Sequence, residues 1–295
     1  MTATIIDGKA IANQIRGEVK RDTAILKKER GIVPGLAFIL VGENPASQSY
    51  VRSKGRACEE MGFHSVTECY PESISEVDLL GHIRRFNADP AIHGLLVQLP
   101  LPAHINEGRI IESIDLRKDV DGFHPQNIGR LVSGLPCLRP CTPAGIQELL
   151  LRSGNDPGGK HVVVVGRSNI VGKPIMNMLL QKQRGANAVV TIAHTGAGDI
   201  VPYVREADIM IAAIGRPAAI TGPMLKRGCV VIDVGINRIN DPATPTGTRL
   251  VGDVDFASAS QVASAITPVP GGVGPMTIAM LMKNTLDAAR GTIYL

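Results

Sequence analysis

The chain has 295 residues, 44% hydrophobic and 20% charged, which is enough for two domains and excludes a disordered or coiled-coil protein. A net charge of +4 is spread over the chain, and its densest basic run, Lys27-Lys28-Glu29-Arg30, marks a solvated helix end rather than a polyanion site. Aromatic residues are only 3%, with no Trp, so the core must be aliphatic; that suits parallel strands under helices and argues against a base-stacking nucleic-acid platform. No apolar stretch approaches the length of a membrane span, and residues 1–10 lack a signal-peptide layout. The cysteines Cys58, Cys69, Cys137, Cys141 and Cys229 are scattered and read as reduced thiols of a cytoplasmic protein. Cys137 and Cys141 have no second Cys/His pair at ligand spacing, so no metal is expected.

Along the chain, Ile11, Ile15 and Val19 share a helix face that stops at Gly31. A strand at 36–41, a helix at 46–61 closed by Gly62, a strand at 65–70, a helix at 76–86 and a strand at 94–98 make a βαβαβ unit with a parallel sheet. The Gly- and Pro-rich stretch 134–143 reads as a linker, and Thr142-Pro143 is cap chemistry that predicts a helix over 144–152. A second α/β unit follows: a strand at 161–165, a helix at 172–183, and strands at 188–193, 209–213 and 230–234. A helix at 276–290 ends the series.

Five stretches carry chemistry. In the first, the strand 162–165 runs into Gly166-Arg167-Ser168-Asn169-Ile170-Val171-Gly172, a glycine turn opening a helix, which presents backbone N–H groups to a phosphate. The spacing departs from G-x-G-x-x-G, and an ordinary strand-to-helix turn reads equally well. The next strand ends in Ala193-His194-Thr195, without the acid that would hold an NAD ribose; with Arg167 in the turn, this favours NADP. In the second, Tyr50 and Lys54 stand four apart on one helix face, where a partly dry lysine can serve as acid or base, or can simply be a solvated lysine beside a packed ring. The third is Gln98-Leu99-Pro100 at the carboxyl end of a strand, where ligands of open α/β sheets sit. The fourth is Lys118-Asp119-Val120-Asp121-Gly122, either a turn or an acid for a ring edge. The fifth, Thr267-Pro268-Val269-Pro270-Gly271-Gly272, is a stiff loop fit for a ligand wall.

Taken in order, with Pro140-Cys141-Thr142-Pro143 and Asp233-Val234-Gly235-Ile236, these stretches closely resemble the bifunctional methylenetetrahydrofolate dehydrogenase/methenyltetrahydrofolate cyclohydrolase family (the FolD type) over essentially the whole chain. The resemblance implies two three-layer α/β domains with an active-site cleft between them: a folate-binding catalytic domain of residues 1–140 plus 276–295, and a Rossmann-type NADP-binding domain of residues 141–275. It implies NADP-dependent oxidation of 5,10-methylenetetrahydrofolate to the methenyl cation, followed by hydrolysis to 10-formyltetrahydrofolate. By resemblance Lys54 is the acid/base group, Tyr50 orders the folate, Gln98 hydrogen-bonds Lys54, and Asp121 anchors the pterin. Leu99, Pro100, Pro268 and Gly272 would line the folate site. Thr142, Gly166, Arg167, Ser168, Ile170, Gly172, His194, Thr195 and Ile236 would hold NADP. A homodimer through the cofactor domain is implied, with no nucleic-acid or membrane partner.

Where the family commonly has Cys-His-Ser, this chain has Ala193-His194-Thr195, and the turn Gln183-Arg184-Gly185-Ala186 is slightly long. These departures keep open a reading with only one of the two activities. A nucleotide sensor on the same fold is a further alternative, opposed by the intact Tyr50/Lys54/Gln98/Asp121 set. In short-chain dehydrogenases Tyr-x-x-x-Lys follows the nucleotide turn, whereas here it precedes it.

Overall fold

The computed structural model describes residues 2–244 and 247–294. The first part of the chain forms β1 (Thr4–Ile5), α1 (Gly8–Arg30), β2 (Gly35–Val41), α2 (Pro45–Met61), β3 (His64–Tyr70), α3 (Glu76–Ala88), β4 (Gly94–Val97), α4 (Glu107–Ser113) and α5 (Pro125–Val132). Then come α6 (Cys141–Arg152), β5 (His161–Val165), α7 (Gly172–Leu180), β6 (Val189–Ala193), α8 (Val201–Val204), β7 (Ile209–Ala212) and β8 (Val230–Asp233). The last elements are β9 (Asn237–Asn240), β10 (Thr248–Val251), α9 (Phe256–Ala259), β11 (Ala265–Ile266) and α10 (Val273–Arg290). Two compact units result: Met1–Asn13 with Thr142–Thr277, and Gln14–Cys141 with Ile278–Leu295.

The second of these units holds a small parallel sheet in the order β3-β2-β4. Every residue of the central strand β2 is buried, as a parallel strand covered on both faces requires. Its core joins Ile39, Leu79, Ile83, Phe86, Leu95 and Ile110 from β2, α3, β4 and α4, mostly aliphatic with Phe86 as its buried ring. Asn44 starts α2 by accepting from the amides of Ala46 and Ser47, with Pro45 in the first turn, and left-handed Gly62 ends it. Beyond the sheet, Leu95 N donates to Lys118 O at 2.8 Å, and residues 118–120 run parallel to β4. Asp121 therefore lies toward the carboxyl end of β4, the end that carries Gln98.

The other unit holds a six-stranded parallel sheet, β1-β11-β8-β7-β5-β6, in the doubly wound manner. Its core joins Val163, Met210, Val231 and Ile266 to neighbours that are all aliphatic or sulfur-bearing among the described residues, in keeping with the scarcity of rings. Residues 2–13, expected with residues 14–140, group by their contacts with this unit. Strand β1 pairs with β11, and the amides of Ala3, Thr4 and Ile6 donate to Ser260, Ser264 and Ile266. Helix α7 is shorter than the expected 172–183: it stops at Leu180, where Gln181 turns extended. The antiparallel β9–β10 hairpin adds a feature that the sequence pattern did not foretell.

Candidate functional site

In the small-sheet unit three segments meet at one lysine. Lys54, on α2 and only 8% exposed, donates from Nζ to Gln98 Oε1 at 3.1 Å. Gln98 Nε2 is committed to Leu99 O at 2.7 Å, so the amide can only present its oxygen to the ammonium. Burial pushes the Asp121 carboxyl up, and the positive charge of Lys54 opposes that shift. The Asp121 carboxylate makes no hydrogen bond among the described residues, and neither do the other two Lys54 protons. Tyr50, one turn before Lys54, is 44% exposed and free to meet a ligand face.

The two acids of the Lys118–Asp121 run are now told apart. Asp119 is 2% exposed and accepts from Phe123 N at 3.2 Å, His124 N at 2.8 Å and Asn127 Nδ2 at 2.8 Å. It closes its own loop and leaves Asp121 as the acid available to a ligand. Lys118 likewise serves the fold, donating to Phe86 O and Asp89 O. Asn284 on α10 steadies the same segment from behind, donating 2.8 Å bonds to Val120 O and Arg139 O. The Cys141 thiol, held well above its usual range by burial and then by Asp121, donates to Val120 O.

The large-sheet unit has a cavity of about 490 Å³ at the carboxyl ends of β5, β6 and β7. Its lining includes Gly166, Arg167, Ser168, His194 and Thr195, all anticipated from sequence. Gly166 has φ +131, and a Cβ there would sit 2.0 Å from Ala213 O, so only glycine fits this turn. Ser168, expected to face the cofactor, also turns inward: its Oγ accepts from Val171 N at 3.1 Å and Gly172 N at 3.3 Å. His194 Nδ1 accepts from Gly196 N at 3.0 Å, which leaves the proton of a neutral ring on Nε2. That nitrogen faces Arg167 Nη1 at 3.4 Å. Two donors thus point at each other with no acceptor between them, an arrangement that an anion would complete.

Thr142, Ile170, Gly172 and Ile236 are not part of this lining. Ile170 and Ile236 are exposed, and Thr142 shares a 2.9 Å hydroxyl contact with Thr277. Pro268 and Gly272, expected at the folate wall, belong to the large-sheet unit, where Lys9 N donates to Gly271 O. The Leu99–Pro100 bond, cis in this structure, closes the stretch after Gln98. Sequence reasoning missed Arg216 and Asp253. Arg216 lines the cavity, and fully buried Asp253 organises the turn that carries it. Gly215-Arg216-Pro217 after a buried strand was the available signal.

Residues 6–121 match the family model "Tetrahydrofolate dehydrogenase/cyclohydrolase, catalytic domain", and residues 140–293 match its NAD(P)-binding domain. The chain belongs to the tetrahydrofolate dehydrogenase/cyclohydrolase family. It is an enzyme of this bifunctional type, with both family regions on one chain. It is 58% identical over 291 residues to the bifunctional protein FolD of Syntrophus aciditrophicus, covering 98% of each chain. The crystal structure of the Campylobacter jejuni FolD dehydrogenase/cyclohydrolase superposes with a TM-score of 0.92 at 48% identity, covering 98% of this chain and 99% of that one. The Trypanosoma brucei FolD, solved with NADP and an inhibitor, gives 0.93 at 39% identity over the full length of both chains. No helix among the described residues is long and apolar enough to cross a membrane.

Proposed function

We propose that this dehydrogenase/cyclohydrolase oxidises 5,10-methylenetetrahydrofolate to the 5,10-methenyl cation with NADP, then hydrolyses that cation to 10-formyltetrahydrofolate. The observation that carries the reading is the Lys54–Gln98 hydrogen bond, with Asp121 in electrostatic reach of the same ammonium. Hydride transfer needs positioning, whereas hydrolysis needs a group that takes a proton from water and returns one to the departing ring nitrogen. Lys54 is that group. Gln98 holds its Nζ in place without neutralising it, and the uncommitted Asp121 carboxylate accepts N–H groups from the pterin edge. Tyr50 stacks on the ring system, and Leu99 and Pro100 form the adjoining wall.

NADP supplies the hydride acceptor when it is bound. The opposed donors of Arg167 and His194 fit its 2′-phosphate, with Thr195 adding a hydroxyl donor. Gly166, Ser168, Ile170 and Gly172 would bring the start of α7 to the pyrophosphate, and Thr142 and Ile236 would border the nicotinamide end. The deciding experiment is Lys54→Ala, assayed separately for NADPH formation and for methenyl-folate decay. Loss of the decay with part of the NADPH signal retained supports the assignment; equal loss of both overturns it.

The same reading takes the chain to be a cytoplasmic homodimer. In support, β6 is the last strand of its sheet, Val189 on it is 66% exposed, and the described cysteines are free thiols. Val189→Lys should give a monomer in sedimentation; an unchanged dimer would remove β6 from the interface.

A further inference from the structure

The sheet order sets the positions of three side chains around the cavity. Arg167 follows the middle strand β5, Thr195 follows β6 on one side, and Arg216 follows β7 on the other. Adjacent strands lie about 4.8 Å apart. Gly166, packed against Ala213 O, locks the first of these turns against the third.

The turn after β7 has few backbone donors to offer a ligand. Asp253 accepts from Ile214 N at 2.6 Å, Gly215 N at 2.8 Å and Arg216 N at 3.0 Å, and takes Asn237 Nδ2 at 2.9 Å as well. What this turn presents to the cavity is therefore the Arg216 guanidinium, which makes no hydrogen bond or ion pair among the described residues. Among the described residues Asp199 is the one carboxylate on the lining, and it accepts from Val201 N at 2.9 Å. The lining does not include Gly172, where α7 begins. A pyrophosphate belongs at a helix start such as that of α7, which leaves the second anion of a phosphorylated dinucleotide to the two arginines on this lining.

We infer that Arg216 is a specificity-determining residue: a second guanidinium that, with Arg167, holds the ribose 2′-phosphate and sets the preference for NADP over NAD. The inference rests on the dinucleotide site proposed above. Two arginines suit a group carrying nearly two charges and three acceptor oxygens, and they offset the nearby Asp199.

The test is calorimetric titration of the full chain and its Arg216→Ala and Arg216→Lys variants with NADP, NAD and 2′,5′-ADP. Arg216 is exposed, so the fold is expected to survive, and matched thermal melts check this. Arg216→Ala should weaken NADP and 2′,5′-ADP by about tenfold or more while NAD stays within about twofold. Arg216→Lys should fall between, because lysine keeps the charge and loses the planar fork. Equal weakening of NADP and NAD, or no change in any ligand, overturns the role of Arg216 while leaving the dinucleotide site intact. A wild-type chain that binds none of the three overturns the site itself.

Discussion

Lys54 and Gln98 are joined by one hydrogen bond whose direction is fixed from behind. Gln98 gives its amide N–H to Leu99 O and can only offer its carbonyl oxygen to the ammonium. The oxygen thereby positions Lys54 without supplying a negative charge.

Gln98→Glu keeps the shape and adds that charge. The carboxylate also lacks the N–H that Leu99 O now accepts. A lysine tied to an anion releases its proton less readily, so methenyl-folate hydrolysis should fall by about a hundredfold. NADPH formation should fall much less. Stopped-flow measurement of the two steps distinguishes them, and a variant with unimpaired hydrolysis would remove Gln98 from the proton path.

Asp119 provides a pH signature. Burial, opposed chiefly by the Asn127 bond, holds its carboxyl at about 7, above the ordinary 3.8. The folded chain then keeps a proton that the unfolded chain releases from about pH 4 upward. Stability from this group is full below that range and is lost as pH rises through about 7. Urea unfolding at pH 5 and pH 8 should show a stability loss in wild type that exceeds that of Asp119→Asn by on the order of 2 kcal/mol. Asp233, pushed up to about 6 by its own burial, has the same sign in both proteins and cancels from the difference. A larger loss in the variant would contradict the assignment.

Gly166→Ala sets a Cβ 2.0 Å from Ala213 O at a φ that L residues avoid. Thermal unfolding should register a destabilisation of about 2–4 kcal/mol, and NADP binding should be lost with the turn. Gly129→Ala is the matched control. That glycine lies within α5 with nothing inside 4 Å of its Cβ position, so the change should be neutral or stabilising by about 0.5 kcal/mol. Equal effects at the two positions would refute the packing argument.

The thiols should separate sharply by environment. Cys69 on β3 is exposed, whereas Cys58, Cys141 and Cys229 are buried. Burial pushes Cys58 up to about 12 and Cys229 up to about 11. A disulfide reagent at pH 7.5 should label Cys69 roughly a hundredfold faster than these three, which should react at comparable rates only in denaturant. Mass-spectrometric mapping checks this, and early labelling of Cys58 would count against its burial beside Met282, whose Sδ lies 3.9 Å from the thiol sulfur.

Much of this architecture was legible in the chain because its strands are buried on both faces. Runs such as Val162–Val165 and Val230–Ile232 read as continuous β-branched strands. Pairings over long sequence distances were not legible. Nothing local in Thr4–Ile5 points to β11, and the polar β9–β10 hairpin has no buried face to impose a period. Helix α5 could have been found, since His124-Pro125 is a cap followed by proline in the first turn. At the site, residue types and spacing drew attention to Lys54, Gln98 and the Asp119/Asp121 pair, and the family resemblance pointed to Asp121. Types and spacing could not divide labour between Asp119 and Asp121, because that depends on which carboxylate the folded backbone surrounds. Arg216 escaped notice for a related reason: its turn matters through Asp253, far along the chain.

Asp253 also has a bearing on what nucleotide binding must accomplish. Its carboxylate sits in a concavity of successive amide groups, the kind of backbone nest that elsewhere captures a free anion. Here the chain fills the nest with its own Asp253 carboxylate, so the wall after β7 is held by hydrogen bonds internal to the fold. A wall already held in this way is preorganised, and a ligand that docks on a preorganised wall does not have to order it.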